Sequence, residues 1–301
     1  MSFVLEVRAQ TSIKKDDEIT TRYLSPWEGQ PNRQLKIEKS WNFICNCLRC
    51  KDPSDLATYF SAIKCQQCTK KLSSNDNATN GTCNNLCNDI SYNNGYLLPL
   101  DGQVLRTPWQ CNVCGSKKSL RDIEDVLESL KNKLDQVKSE IMSIMSNQFS
   151  ETANYVETSV HLLEEHIHPN HFLLFQLKKW FLELSFQQQT SLDKSKQQVV
   201  ESILLNGVAS TEEFSNKISF LELQMKYHLD VLKIVEMLDR GLTVNRAGHH
   251  KRLAQCRIEL SRLKMLAHPE KYTKLQHMNQ MKIAMSELKQ VSLSFKYPEK
   301  K

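Results

Sequence analysis

The stretches that decide the fold are Cys65-Gln66-Gln67-Cys68 and Cys111-Asn112-Val113-Cys114. Each holds two cysteines separated by two residues, and together they supply the four thiolates of a closed tetrahedral zinc site. The two pairs are 42 residues apart, more than is usual for such a site. An Asn- and Ser-rich insertion over residues 72–95 accounts for the excess, because loops lengthen at a small entropic cost. The sequence therefore predicts a structural zinc site that joins the two pairs.

A second group of cysteines, Cys45-Asn46-Cys47-Leu48-Arg49-Cys50, lies upstream of the first pair. Its three thiolates need a fourth donor to complete a zinc tetrahedron, from elsewhere in the chain, from a partner or from water. Cys83 and Cys87 lie within the insertion and are either substitute ligands or, in our preferred interpretation, free thiols. Cys256 lies in a helical stripe and is expected to be a small buried residue.

The composition is that of an ordinary globular protein. Charged residues make up 25% and hydrophobic residues 40% of the 301 residues, with a net charge of +6 and no basic run. We therefore expect a solvated surface and no direct binding to nucleic acid or membrane. No secretory signal is visible, which favours a reducing compartment where clustered cysteines bind metal. A redox role for the cysteine pairs is disfavoured because no βαβ pattern adjoins them.

Outside the cysteines the chain is predicted to be mostly helical. Residues 3–9 alternate like a strand, a second short strand is expected around 18–21, and residues 33–43 fit a short helix. Ser119 and Asp122 form a helix-start signal. Apolar stripes at helical spacing then cover residues 123–141, 152–167, 171–188, 195–206, 212–239, 249–267 and 270–293. The predicted fold class is mostly α: a small β segment and a zinc-stapled cysteine region, followed by a helical bundle or TPR-like array.

Four stretches resemble the SET and MYND (SMYD) family, particularly its arthropod branch. Ile13 to Tyr23, with Arg33 and residues 41–50, resembles the family's GEEI-type turn, its tyrosine and its F-x-C-x-C-x-x-C signature. The other three stretches are residues 95–99 with 109–111, the His-Pro-Asn-His helix start at 168–171, and the turn over 238–248. Together, in the family's order, they cover essentially the whole chain.

The resemblance implies a protein-lysine methyltransferase that uses S-adenosylmethionine and acts on histone or other protein lysines. It further implies action in the nucleus and cytoplasm and a part in transcription regulation. Tyr23 would be catalytic, since a phenol in the lysine channel can hydrogen-bond the amine, and Phe43 would pack on the cofactor's adenine. Without the motif, both would be interpreted as core aromatics. The expected zinc ligands are Cys45, Cys47, Cys50, Cys65, Cys68, Cys111 and Cys114.

The sequence also departs from the family pattern. The 301 residues contain no MYND finger, no glycine-rich cofactor loop and no NH-x-C segment, and Asp16 stands where the family has a glycine. We expect residues 1–43 to be the C-terminal remnant of a SET domain, 44–117 the post-SET and second zinc-binding region, and 118–301 the helical domain. The fourth ligand of the group of Cys45, Cys47 and Cys50 would then lie outside this chain. On this hypothesis the chain is either a truncated form or a partial sequence of a longer protein, and it is inactive alone. The alternative is a non-catalytic, zinc-stabilised helical scaffold for protein–protein interaction.

Overall fold

The structure is a computed structural model that describes residues 9, 11–73, 95–145, 149–187, 211–241, 243–268 and 270–295. It confirms the predicted class, a mostly helical chain with a small antiparallel sheet, cysteine clusters and a C-terminal helical array. Three predicted features lie outside the described residues. They are the strand over 3–9 except for residue 9, most of the insertion with Cys83 and Cys87, and the stripe at 195–206.

The chain divides into two compact units. One unit, called the cysteine unit below, consists of Tyr23–Ser139 and Glu157–Leu174. The other, called the helical unit, consists of Met1–Arg22, Glu140–Val156 and Phe175–Lys301. No helix in the described part of the chain combines the length and the apolar character that a membrane span needs.

The cysteine unit begins with helix α1, Gln30–Trp41, as the sequence predicts over 33–43. The helix starts earlier than predicted because Pro31 fits its first turn, where a missing N–H costs nothing. Asn42 ends the helix in the left-handed conformation at φ 55°, and its N–H donates to the Glu38 carbonyl over 2.9 Å. Helix α2, Leu48–Lys51, is a single turn within the second cysteine group.

The predicted strand around residues 18–21 is wrong. Residues 11–23 form no strand, and Ile19 is 81% exposed. Within the described residues no neighbouring strand pairs with this segment, so its backbone N–H and C=O groups lack the partners that a ladder would supply.

A four-stranded antiparallel sheet in the order β1-β2-β3-β4 brings the two CxxC pairs together. Leu97 in the second strand lies between Ile63 and Cys111, and Trp109 lies opposite Lys118. Leu97 and Trp109 are buried, so one face of this small sheet packs into the core of the unit. The strands are β1 Ile63–Lys64, β2 Tyr96–Pro99, β3 Trp109–Cys111 and β4 Lys117–Lys118, with helix α3, Gln66–Ser73, between β1 and β2.

Long helices follow, close to the predicted stripes. The predicted start is confirmed: the Asp122 N–H donates to Ser119 Oγ (3.2 Å) while the Ser119 N–H donates to the Asp122 carboxylate (3.0 Å). The helices are α4 Leu120–Met145, α5 Phe149–Glu164, α6 over 172–187, α7 Thr211–Leu238, α8 Val244–Ala267 and α9 Lys274–Phe295.

In the helical unit, α8 packs against both α7 and α9. Cys256 is buried among apolar side chains of α7 and α8, as predicted. That cluster contains Ile218, Leu221, Cys256, Leu260 and Leu263. Between the same two helices, His228 and His249 are buried with their Nδ1 atoms 3.1 Å apart.

Candidate metal centres and aromatic site

The two CxxC pairs form one compact group of sulfurs, called the closed cluster below. All four sulfurs lie within 4.8 Å of one another. The sulfur–sulfur distance is 3.6 Å between Cys65 and Cys114 and 3.7 Å between Cys68 and Cys111. In a tetrahedron with zinc–sulfur bonds of about 2.3 Å, neighbouring sulfurs are about 3.8 Å apart. Donor type, number and spacing therefore fit a structural zinc ion.

Tight turns place these sulfurs. Cys111 ends β3, and its Sγ accepts the N–H groups of Val113 (3.4 Å) and Cys114 (3.5 Å). Gly115 completes the turn at φ 72°, which glycine adopts without strain. The knuckle therefore orients its own ligand through backbone hydrogen bonds, as zinc knuckles require.

Gly95 closes the site from the other side. Its carbonyl accepts the Cys65 N–H over 2.8 Å. A Cβ atom at Gly95 would lie 2.5 Å from Cys111 Sγ and 2.6 Å from Cys68 Sγ. Only glycine therefore allows the backbone to pass so close to two sulfurs.

Ser116 biases two sulfurs toward the thiolate form that binds zinc. Its Oγ lies 3.3 Å from the sulfurs of both Cys65 and Cys114. The Ser116 hydroxyl lowers the pKa of Cys114 to about 6. Burial alone would raise the pKa of Cys65, but hydrogen bonds, with Ser116 foremost, lower it. Burial raises the pKa of Cys68 to about 12 in the absence of metal.

Cys45, Cys47 and Cys50 form the three-cysteine cluster, whose sulfurs also lie within 4.8 Å of one another. No fourth cysteine, histidine or carboxylate joins them among the described residues. A hydrogen bond with Cys50 lowers the pKa of Cys47 to about 5, and the same bond raises the pKa of Cys50 well above its usual value. The cluster fits zinc with one ligand position left for another donor.

Two glutamines of α1 hold the loop that carries this cluster. Gln34 accepts the Cys45 N–H (3.1 Å) and donates to the carbonyl of the same residue (2.9 Å). Gln30 and Gln34 both donate to the Gly102 carbonyl, over 3.0 and 3.1 Å. A Cβ at Gly102 would lie only 2.2 Å from the Cys50 carbonyl oxygen, so glycine is required here too.

A buried ionic group of Arg33, Asp55 and Arg49, called the triad below, adjoins the three-cysteine cluster. The Asp55 carboxylate accepts from Arg33 Nη2 (2.7 Å), Arg33 Nη1 (3.2 Å) and Arg49 Nε (2.7 Å). The guanidinium groups also donate to backbone carbonyls of Glu28 (2.9 Å) and Pro26 (2.8 Å). The triad therefore ties the α1 region to α2, where Cys50 directly follows Arg49.

The backbone that presents Asp55 is strained. Asp55, Leu56 and Ala57 all have left-handed φ angles, of 58°, 62° and 58°. Such a conformation costs a non-glycine residue roughly 1–2 kcal/mol. Hydrogen bonds from the N–H groups of Ser54 and Leu56 to the Asp52 carboxylate, each 2.8 Å, offset part of that cost.

Tyr23, Trp41 and Phe43 form an aromatic group on the surface of the cysteine unit. The Tyr23 ring makes edge contacts with Phe43 (5.1 Å between centroids) and Trp41 (5.3 Å). The side chains are exposed by 47% for Tyr23, 44% for Trp41 and 36% for Phe43. Tyr23 and Phe43 are therefore not core aromatics of the described chain. The structure brings their two rings into contact, and Phe43 lies two residues before Cys45.

Residues 14–17, which belong to the helical unit, form a turn. Asp16 has a φ angle of 70°, the conformation for which a glycine would be favoured. The Lys14 N–H donates to the Asp17 carboxylate over 2.7 Å and holds the turn.

Sequence reasoning missed the residues that surround the sulfurs. Gly102, Ser116 and Asp55 lie outside the cysteine spacing, so that spacing does not reveal them, and Gly95 was noted only as part of the stretch over 95–99. The isolated glycines were the available signal, since a lone glycine often marks a close backbone approach.

Comparison with known proteins supports a relationship of this chain to SET-domain and SMYD-type proteins. The chain is 28% identical over 108 residues to the SET domain-containing protein SmydA-8, isoform A, of Drosophila melanogaster, covering 36% of this chain and 18% of that protein. It is 42% identical over 52 residues to the histone-lysine N-methyltransferase SET5 of Candida glabrata, covering 17% of this chain and 10% of that protein. SET5 of Meyerozyma guilliermondii is 44% identical over 48 residues, covering 16% and 10% respectively.

These matches are partial. They span less than a fifth of the length of the curated relatives. No family model matches the chain. The relatives' names support a methyltransferase family.

Proposed function

We propose that this chain provides the lysine-channel tyrosine and the cofactor-facing phenylalanine of a SMYD-type protein-lysine methyltransferase. The observation that carries the proposal is the exposed contact of Tyr23 with Phe43, 5.1 Å between ring centroids, directly before the three-cysteine cluster. A phenol can hydrogen-bond the substrate amine as the methyl group moves. A flat apolar ring suits the adenine of S-adenosylmethionine.

The proposed substrates are lysines of histones or other proteins, because relatives are named histone-lysine methyltransferases. Such substrates favour action in the nucleus as well as the cytoplasm, and a part in transcription regulation. Residues 1–43 would contribute the SET portion, 44–117 the post-SET and second zinc-binding region, and 118–301 a TPR-like helical domain.

Two zinc ions would have separate structural tasks. The closed cluster supplies four thiolates and needs nothing more. The three-cysteine cluster would hold a second zinc more weakly until a fourth donor reaches it. When bound there, zinc would fix the loop that follows Phe43.

The 301-residue polypeptide by itself is proposed to be inactive. Its sequence contains no NH-x-C segment and no glycine-rich loop with which the family binds the cofactor. Calorimetry of this polypeptide with S-adenosylmethionine is expected to show no saturable binding.

Complementation tests the proposal. A polypeptide carrying the first part of a SMYD-type SET domain, including an NH-x-C segment, would be mixed with this chain, labelled S-adenosylmethionine and histones. We expect methyl transfer only in the mixture, reduced about 10²- to 10³-fold by Tyr23→Phe, the range for loss of one stabilising donor. Tyr59→Phe is the matched control, because its ring stacks on His168 outside the aromatic group. Turnover that is unchanged in the Tyr23→Phe variant would refute the catalytic assignment.

A non-catalytic scaffold remains a second candidate because α9 exposes apolar side chains along one side. Leu275 is exposed by 67%, Met278 by 48% and Met285 by 70%. Apolar surface of this kind often marks an interaction site. In cells that depend on the protein, a scaffold would tolerate Tyr23→Phe and fail with Met285→Glu, whereas the enzyme would fail with Tyr23→Phe.

A further inference from the structure

The charges of the triad do not balance. Two guanidinium cations share one carboxylate, which leaves one positive charge in the interior. The side chains of Arg33, Arg49 and Asp55 are exposed by only 5%, 13% and 1%. A buried net charge is strongly unfavourable unless a counter-charge lies close to it.

Nearby carboxylates do not supply that counter-charge. Glu28 offers Arg33 its backbone carbonyl, while its carboxylate pairs with Lys36 at 2.6 Å. The Asp52 carboxylate accepts from the N–H groups of Ser54 and Leu56, and among the described residues it forms no ion pair with Arg33 or Arg49.

The three-cysteine cluster does lie next to the triad. Arg49 directly precedes Cys50 in α2; Cys50 is buried, and the Arg49 side chain is only 13% exposed. Arg33 directly precedes Gln34, which hydrogen-bonds the backbone of Cys45. Arg33 Nε and Arg49 Nη2 are buried and have no hydrogen-bond partner among the described residues. The triad thus has both spare N–H donors and a spare positive charge beside a group of thiolates.

We propose that the triad is the electrostatic support of the metal bound by the three-cysteine cluster, with Arg33 as the positioning residue. A zinc ion with three thiolates carries one net negative charge, which the one spare positive charge of the triad balances. The left-handed backbone at Asp55 holds its carboxylate between the guanidinium groups of Arg33 and Arg49. The carboxylate therefore fixes the orientation of both planar guanidinium groups. The inference rests on the proposed binding of zinc by this cluster.

The test measures zinc affinity in Arg33→Met. This change removes the spare charge and leaves Arg49 and Asp55 as a neutral pair, so the interior stays balanced. Zinc binding to the full 301-residue chain would be followed by competition with a chromophoric chelator in reducing buffer. The weaker binding event is assigned to the three-cysteine cluster by its loss in Cys47→Ser. We expect Arg33→Met to weaken that event roughly 10- to 100-fold, the range for supporting groups around a metal.

Controls separate a local effect from a general one. Lys39→Met removes a positive charge from the exposed side of the same helix without releasing the Glu28 carboxylate, and should leave the weaker event unchanged. The tight event at the closed cluster should be unchanged in every variant. If Arg33→Met does not fold, Arg33→Lys is the test variant, because lysine keeps the positive charge but lacks the planar guanidinium. We expect it to lower zinc affinity measurably, but by less than the loss expected for Arg33→Met.

The outcomes are distinguishable. Wild-type affinity in Arg33→Met and Arg33→Lys overturns this inference alone, as does an equal loss in Lys39→Met. If the wild-type chain shows no weaker event, or if Cys47→Ser retains it, zinc binding by the three-cysteine cluster is refuted, and the inference with it.

Discussion

Replacing Gly95 with alanine would place a methyl group against the closed cluster. The added carbon would lie 2.5 Å from Cys111 Sγ, 2.6 Å from Cys68 Sγ and 3.2 Å from Val113 Cβ. Non-bonded heavy atoms prefer a separation of about 3.5–4.0 Å, so the added carbon would be about 1 Å too close to each of the two sulfurs. Zinc-bound sulfurs cannot move apart without losing their tetrahedron. Overpacking of this kind costs about 1–3 kcal/mol. At about 1.4 kcal/mol per tenfold, we expect a loss of zinc affinity of about 5- to 150-fold.

The assay is chelator competition on the tight zinc event, with thermal unfolding alongside. Gly248→Ala is the matched control, because a Cβ there meets nothing within 4 Å and the residue lies inside α8. That control should leave zinc affinity unchanged and raise stability by about 0.5–1 kcal/mol, since glycine is unfavourable in a helix. A Gly95→Ala protein that binds zinc as tightly as the wild type would refute the arrangement of the four sulfurs described above.

Three further predictions concern the rest of the chain. Gly102→Ala should lower the melting temperature and abolish the weaker zinc event, because its Cβ would lie 2.2 Å from the Cys50 carbonyl oxygen; an unchanged weaker event would contradict this. Burial lowers the pKa of His228 to about 3 and of His249 to about 4, so the unfolded chain, with pKa values near 6.5, takes up protons first. Stability should therefore fall as the pH drops from about 6.5 to 4, by up to about 1.4 kcal/mol per pH unit per histidine, and the slope in urea unfolding should be smaller in His249→Gln. Zinc removal by chelator should accelerate amide exchange first in residues 95–118; exchange that first accelerates in α8 would contradict the zinc assignment.

Local patterns explain what could be predicted. A CxxC pair needs only its own four residues to place two sulfurs, so the closed cluster was visible in the sequence despite the long insertion. The start of α4 was equally visible, because Ser119 and Asp122 bond each other within one turn. Apolar residues at helical spacing revealed the long helices, since each helix repeats its buried face many times.

Contacts between distant residues explain what was missed. Strands β1 and β4 have two residues each, too short to show any alternation, and they exist because the sheet joins the cysteine pairs. The triad joins residues that are 22 positions apart, and neither arginine carries a local sign of burial. The left-handed turn at Leu56 and Ala57 uses residues that give no turn signal. The strand expected around 18–21 is wrong because this segment has no partner strand among the described residues.

The contrast between two tryptophans gives the molecule a pair of built-in optical reporters. Trp109 is 1% exposed in β3, two residues before Cys111, whereas Trp41 is 44% exposed in the aromatic group. In versions that retain one or the other, the emission of Trp109 would follow the zinc-dependent folding of the sheet. The emission of Trp41 would shift to shorter wavelength when another polypeptide or a cofactor covers Tyr23 and Phe43. The wavelength of each band would thus separate folding of the metal centre from assembly of the aromatic site, without any attached dye.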